Sequence, residues 1–425
     1  MAFPKILLLS GVRGDTRRYR TVHPYEQLRL IDVDCTLSHI SDPGLRARAR
    51  QVDIVLLHRS PWDSQVKWLV ETTRQRGGLV IQDTDDLIFD PAVFQFIDSP
   101  DFADPVRAAL YQEDLRRNRA TLDACDAVIA ATDYLADRAR ALGKPAWVHR
   151  NAFSLEMLDR SEIAYRQRCF ERSNVVIGYA SGTPTHNRDF ALVRPALQEI
   201  LRRYPQVELH LIGRIDPGDG WSAWADRIHY YPLVPWRELP VLLAGFDINL
   251  APLRADNPFG QSKSEIKFME AALLRLPTIA SPTAAFRYAI RSGETGLLAG
   301  DWLEALEMLV TQPRLRHQMG EQAYADVVAR YHPRVRASEL VSTLNAIAQE
   351  RRSSPIWEES PEEKHPFLEL APSNKAWVPV ELEQSPPLHQ LAIHNLLHRG
   401  PGTLLLQIWV FLRRFLSPII PYGRR

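Results

Sequence analysis

The feature that most constrains this chain is an alternation of short apolar runs with longer segments of helical periodicity, played through once and then again from the start. Ile6 to Ser10, Asp53 to Arg59, Leu79 to Gln82, Ala127 to Ala131 and Ala146 to Val148 are apolar stretches of strand length, with helical spacing over 66–76 and 134–142 between them. Short runs without polar alternation suit strands covered on both faces, and strands alternating with helices build a parallel sheet. After a helical connector the pattern restarts. Strands are expected at Val175 to Tyr179, Glu208 to Gly213, Asp247 to Leu253 and Thr278 to Ala280, and helices at 190–204, 301–312 and 335–350. The predicted class is α/β, with two Rossmann-like doubly wound parallel-sheet domains over 1–172 and 173–350 facing across a cleft.

The length of 425 residues leaves a remainder beyond those two domains. Residues 351–402 are proline-rich, carry the acidic cluster Glu358 to Glu363 and show little periodicity, as a linker does. Within them His394 and His398 stand one turn apart, a spacing that can bind zinc, but no HExxH glutamate or cysteine accompanies them, and a solvated helix face explains them as well. Residues 403–425 are apolar nearly all round until Arg413, Arg414 and Pro418 interrupt them. Such a segment is too short to span a bilayer. With Trp409, Tyr422 and Arg424-Arg425 it suits either an interfacial anchor on an anionic membrane or a helix packed back on the second domain.

Formal net charge is +1, so no global field points to nucleic acid. The three cysteines, Cys35, Cys125 and Cys169, are far apart, which argues against a disulfide framework or zinc site and for a reducing compartment. The N-terminal apolar run is too short for a signal h-region, so a cytoplasmic protein with a soluble body is expected, peripheral to the inner membrane face if the tail binds there.

Three stretches carry chemistry. In Lys263-Ser264-Glu265-Ile266-Lys267-Phe268-Met269-Glu270, Lys267 and Glu270 share one helix face near its start. A diphosphate would meet Lys267 while the Glu270 carboxylate accepts hydrogen bonds from ribose hydroxyls; the same spacing also makes ordinary surface salt bridges. Gly11-Val12-Arg13-Gly14, following the first strand, is a phosphate-loop candidate, and the cluster Arg17, Arg18, Arg20 after it faces either the cleft or solvent. The strand ends His58-Arg59 and Asp83-Thr84-Asp85-Asp86 put polar groups where ligands of parallel sheets bind.

Taken in order, Ile177 to Phe190, Asp247 to Leu253, Lys263 to Ser281 and Ser292 to Leu298, with the Asp-x-Asp-Asp strand end and Cys125 to Thr132 in the first domain, resemble the family 4 (group 1) retaining glycosyltransferases of the GT-B fold over residues 5–350. The resemblance implies a basic pair that grips the donor diphosphate. Arg188 falls at its second position, Ser181-Gly182 occupy the first, and Lys267 or Lys263 is the natural replacement. Of the family's Glu-x7-Glu motif, Glu270 matches the second, ribose-binding glutamate, while Ser262 stands at the first, where Glu265 can compensate.

The resemblance therefore implies Arg188, Lys267, Asp85 and Asp86 as catalytic groups, with Asp85-Asp86 orienting or deprotonating the acceptor or merely capping a turn. Gly14, Gly182, His186, Lys263, Glu265 and Glu270 fall to the donor, and Arg20, His58 and Arg59 to the acceptor side. No cofactor and no metal are expected. The implied reaction moves a sugar from a nucleotide-sugar to a glycan or lipid-linked glycan in cell-surface polysaccharide synthesis. Two alternatives stand beside it: an inactive nucleotide-sugar-binding scaffold of a polysaccharide-assembly complex, and a metal-dependent GT-A-like transferase using Asp83-Thr84-Asp85.

Overall fold

Ile6–Ser10 is buried at every position, as are Ile54–His58 and Leu79–Thr84, because helices cover both faces of the sheet they form. The computed structural model describes residues 4–169, 171–351 and 384–416. The acidic cluster of the expected linker and the last residues of the tail lie outside these.

Six parallel strands make the first sheet: β1 (Ile6–Ser10), β2 (Cys35–His39), β3 (Ile54–His58), β4 (Leu79–Thr84), β5 (Ala127–Ala130) and β6 (Ala146–Val148), in the order β2-β1-β3-β4-β5-β6. The second sheet comprises β7 (Val175–Ser181), β8 (Val207–Gly213), β9 (Ile228–Tyr231), β10 (Ile248–Ala251), β11 (Thr278–Ala280) and β12 (Leu297–Leu298), in the order β12-β11-β10-β7-β8-β9. Both sheets are parallel at each paired register, with Leu8 opposite Leu56 in the first and Ile177 opposite Leu209 in the second.

Local chemistry starts and places the helices. The Asp63 carboxylate accepts from the backbone N–H groups of Gln65 and Val66 and so caps the helix Ser64–Gln75, and Thr132 and Asp301 cap Asp133–Ala141 and Trp302–Thr311 in the same manner. In β7, a Cβ on Gly178 would sit 2.1 Å from the Phe246 ring, so only glycine lets that ring lie against the strand.

The domain boundary differs from the sequence expectation in one respect. Helix Pro333–Glu350, expected to close the second domain, crosses back: Leu340, Leu344, Ile347 and Ala348 complete the apolar cluster of Ile6, Leu8, Leu28 and Ile54 in the first. His332 is the N-cap at the crossing, and Arg334 then donates to the Leu30 carbonyl at 2.9 Å.

The tail also attaches to the first domain. Helix Leu388–His394 runs into a wider turn, Asn395–Arg399, and then into helix Pro401–Leu416. His394 is buried with its Nε2 3.0 Å from Asp63, and Arg399 reaches Asp114 at 3.3 Å. The His394/His398 pair is thus a docking contact on the first domain, not a solvated face. Among the described residues no helix is long and apolar enough to cross a membrane.

Candidate active site

The polar strand ends meet where the two domains face each other. From the second domain, Lys267 and Glu270 project from helix Ile266–Ala272. Lys267 Nζ donates to the Ala180 carbonyl at the end of β7 and lies 4.9 Å from the centre of the Tyr179 ring. Burial draws the Lys267 pKa down, against the opposing pull of Glu270 and Asp189. Burial also raises the Glu270 carboxyl, with the charges of Arg18 and Lys267 and the Tyr19 hydroxyl working the other way.

His186 belongs to the same patch. Its Nδ1 lies 2.8 Å from the Asp189 carboxylate, and burial lowers its pKa with the charges of Lys267 and Lys263 adding to that. Gly182, between Ser181 and this segment, faces open space where its Cβ would be. His186 therefore lies near Lys267 and Lys263, and Lys267 near Glu270. Glu265 is set behind them: it is buried, accepts from the Tyr331 hydroxyl at 2.8 Å and lies 3.8 Å from the Arg150 guanidinium. Arg188 turns out of the patch altogether and pairs with Asp98 of the first domain at 2.7 Å, with its side chain 66% exposed.

The first-domain wall is built from paired charges. Asp85 accepts from Arg59 Nε at 2.7 Å and lies 3.2 Å from His58 Nε2, so despite burial it is held well below the usual carboxylate range. Arg59 adopts φ 42°, a left-handed conformation uncommon for a residue with a side chain, which turns its guanidinium toward both Asp85 and Asp86. Asp86 in turn reaches across the cleft: Lys263 donates to it at 2.7 Å and Ser262 at 3.0 Å. The serine standing where the resemblance places a sugar-contacting glutamate is thus a link between domains.

Arg20 is not on the cleft wall. It is 1% exposed and holds Asp83 through two parallel hydrogen bonds of 2.7 Å each, while its remaining nitrogen donates to the His149 carbonyl and to Asn151. That arrangement also commits Asp83, leaving the carboxylates of Asp83-Thr84-Asp85 bound to different cations and not aimed at one ion. Gly14, at φ 88°, lets the chain turn from the β1 loop into the arginine segment that follows.

Two participants, Tyr19 and Trp236, escape sequence reasoning. Tyr19 donates its hydroxyl to Glu270 at 2.5 Å across the cleft. Arg18 stacks between Tyr19 and Trp236, at 4.4 and 4.6 Å from the ring centres. The arginine cluster signals that segment, but which of its members faces the second domain depends on a helical wind, here a wider turn over Arg18–Val22, that no local pattern announces.

Two Rossmann-like sheets facing across a charged cleft define the GT-B class of fold, and solved structures of that class superimpose on the chain. HepE of Anabaena in complex with UDP and glucose is 13% identical with a TM-score of 0.55, over 81% of this chain and 100% of that one. A sucrose-phosphate synthase from Thermosynechococcus elongatus is 14% identical with a TM-score of 0.55, over 82% and 100%, and a glycosyltransferase from Rickettsia africae is 12% identical with a TM-score of 0.52, over 81% and 99%. No curated protein matches the sequence. Residues 188–342 match the family model described as glycosyl transferase-like. The chain has the GT-B fold, and the match to the glycosyl transferase-like model lies within its second domain and the crossing helix that follows it. The fold is thus not that of the GT-A alternative.

Proposed function

We propose that the protein transfers a sugar, with retained anomeric configuration and without an essential metal, from a nucleotide-sugar to a glycan or lipid-linked glycan acceptor. The observation that carries this is Lys267 and Glu270 together on helix Ile266–Ala272, with His186 near Lys267. Cations next to a carboxylate answer the two parts of a nucleoside diphosphate: positive charge meets the leaving diphosphate, and the carboxylate accepts from ribose hydroxyls. HepE, similar in fold, is solved with UDP and with UDP-glucose, which supports a uridine donor as the first to try.

Arg59, Asp85 and Asp86 line the opposite wall, where the acceptor would approach, with His58 buried behind Asp85. With Asp85 held ionised by Arg59 and His58, its part is to orient a hydroxyl by accepting its hydrogen bond. The tail fits an acceptor presented at a membrane: Leu405, Leu406, Ile408 and Trp409 are exposed on helix Pro401–Leu416. Docking through Asp63 and Asp114 would hold the acceptor-side domain nearest that surface, on the cytoplasmic face.

The test is a thermal-shift and turnover screen of nucleoside diphosphates and their sugars, run in EDTA. A matching diphosphate at about a hundred times its Kd adds about 2.7 kcal/mol of stability, and its sugar is slowly hydrolysed or transferred. Stabilisation without any turnover would mean an inactive scaffold; turnover only after Mn²⁺ is returned would end the metal-independent scheme.

A further inference from the structure

At the outer edge of the second sheet, on β8 and β9, three side chains converge that the cleft does not use. Glu208 and His210 are two apart on β8 and so point to the same face, and His210 lies in register with His229 of β9. The imidazole rings stand edge to face with centroids 4.9 Å apart. Both Nε2 atoms address the same oxygen of Glu208, His210 at 3.4 Å and His229 at 3.5 Å.

Those distances are long for hydrogen bonds, which for an N–H donor centre on about 2.9 Å. They agree with the edge of a coordination tetrahedron: ligand atoms about 2.0–2.1 Å from a central ion are about 3.3–3.4 Å from one another. All three ligand atoms lie within 4.8 Å of one another. His210 is packed against Tyr231, 5.3 Å between ring centres, which fixes its orientation from below. The His229 side chain is 43% exposed, which leaves one side of the cluster open to a solvent ligand.

We propose that Glu208, His210 and His229 bind a late first-row divalent metal ion, zinc foremost, with water completing the tetrahedron. Two imidazoles and a carboxylate are a donor set suited to such ions and poorly suited to magnesium or calcium. The ion would clip β9, an edge strand with a single neighbour among the described residues, onto β8. Its role is structural and separate from sugar transfer: the donor groups follow β7 or precede β11, whereas this cluster sits on the far edge.

The full-length protein, stripped with chelator and desalted, is titrated with Co²⁺ while the visible d–d spectrum is recorded, then with Zn²⁺. One equivalent of tetrahedral cobalt, displaced by zinc and accompanied by a higher Tm, is expected. His229→Ala, at an exposed position where the fold should persist, is expected to weaken binding by about tenfold or more and abolish the zinc-dependent rise in Tm, with transfer activity unchanged; Glu208→Gln repeats the loss without removing a ring. No tetrahedral cobalt signal overturns the proposal. So does binding that is undiminished in both variants, which would place the ion elsewhere, for instance at His394 and His398.

Discussion

On the first-domain side of the cleft three carboxylates are matched by cations: Asp83, behind the wall, by Arg20, Asp85 by Arg59, and Asp86 by Lys263 and Arg59. On the second-domain wall Lys267 rests on a backbone carbonyl and Glu270 on a tyrosine hydroxyl, and among the described residues neither has an ion pair within 4 Å. The first arrangement is saturated and rigid. The second keeps buried charge under-compensated, which is unfavourable in isolation and is relieved when a ligand supplies the missing partner. The wall that holds shape and the wall that binds are therefore distinguishable by how completely their charges are paired.

The sharpest way to break this comparison is Asp83→Ala. It leaves the Arg20 guanidinium buried without its carboxylate and should remove about 3–5 kcal/mol of stability by denaturant unfolding. An unchanged midpoint would show that the first wall is not held by its pairs. Next, Lys267→Ala should leave the unfolding midpoint close to wild type and cut turnover by about a hundredfold. Wild-type turnover in the purified variant would move the diphosphate site away from this helix.

Tyr19→Phe probes the boundary between the walls. Its hydroxyl occupies the Glu270 oxygen that a ribose would use, so its removal should lower the donor KM severalfold with little change in kcat. A raised KM would instead make Tyr19 part of the bound state. The smallest effect is a pH dependence at Glu270. Burial raises its carboxyl in the fold, so the folded protein retains a proton that the unfolded chain loses first. That linkage favours folding below the unfolded value of about 4.3 and fades as pH rises through the raised one. Glu270→Gln should thus raise Tm by about a degree at neutral pH, with the gain vanishing in acid, while donor binding weakens; a variant less stable than wild type at pH 7 contradicts the burial argument.

What the sequence made legible follows from where each element sits. Inner strands such as β1, β3, β4, β7 and β10 are covered on both faces and read as apolar runs. β2, with Thr36, Ser38 and His39, and β9, with His229 and two tyrosines, lie at sheet edges, where one side is free and composition is looser, and neither is visible as a run. Helix Pro105–Ala124 escapes notice because its buried residues include Asn118 and Thr121 as well as leucines. Of the site, Lys267 and Glu270 are legible because their spacing lies within one helix. The Arg188–Asp98, Lys263–Asp86 and Tyr19–Glu270 contacts are not, since each depends on how two separately folded sheets come to face one another.

Helix Pro333–Glu350 has a consequence for how the protein is made. Leu340, Leu344 and Ile347 belong to the same cluster as Ile6 and Leu8, so the apolar interior begun by β1 stays unfinished until nearly all of the second domain has been synthesised. Contacts separated by so much chain form late and slowly. During that interval the first sheet would expose the groove into which the crossing helix fits, and a chain ending just before Pro333 would carry the same exposed groove permanently. Such a fragment would precipitate or be held by chaperones, however complete its own strands.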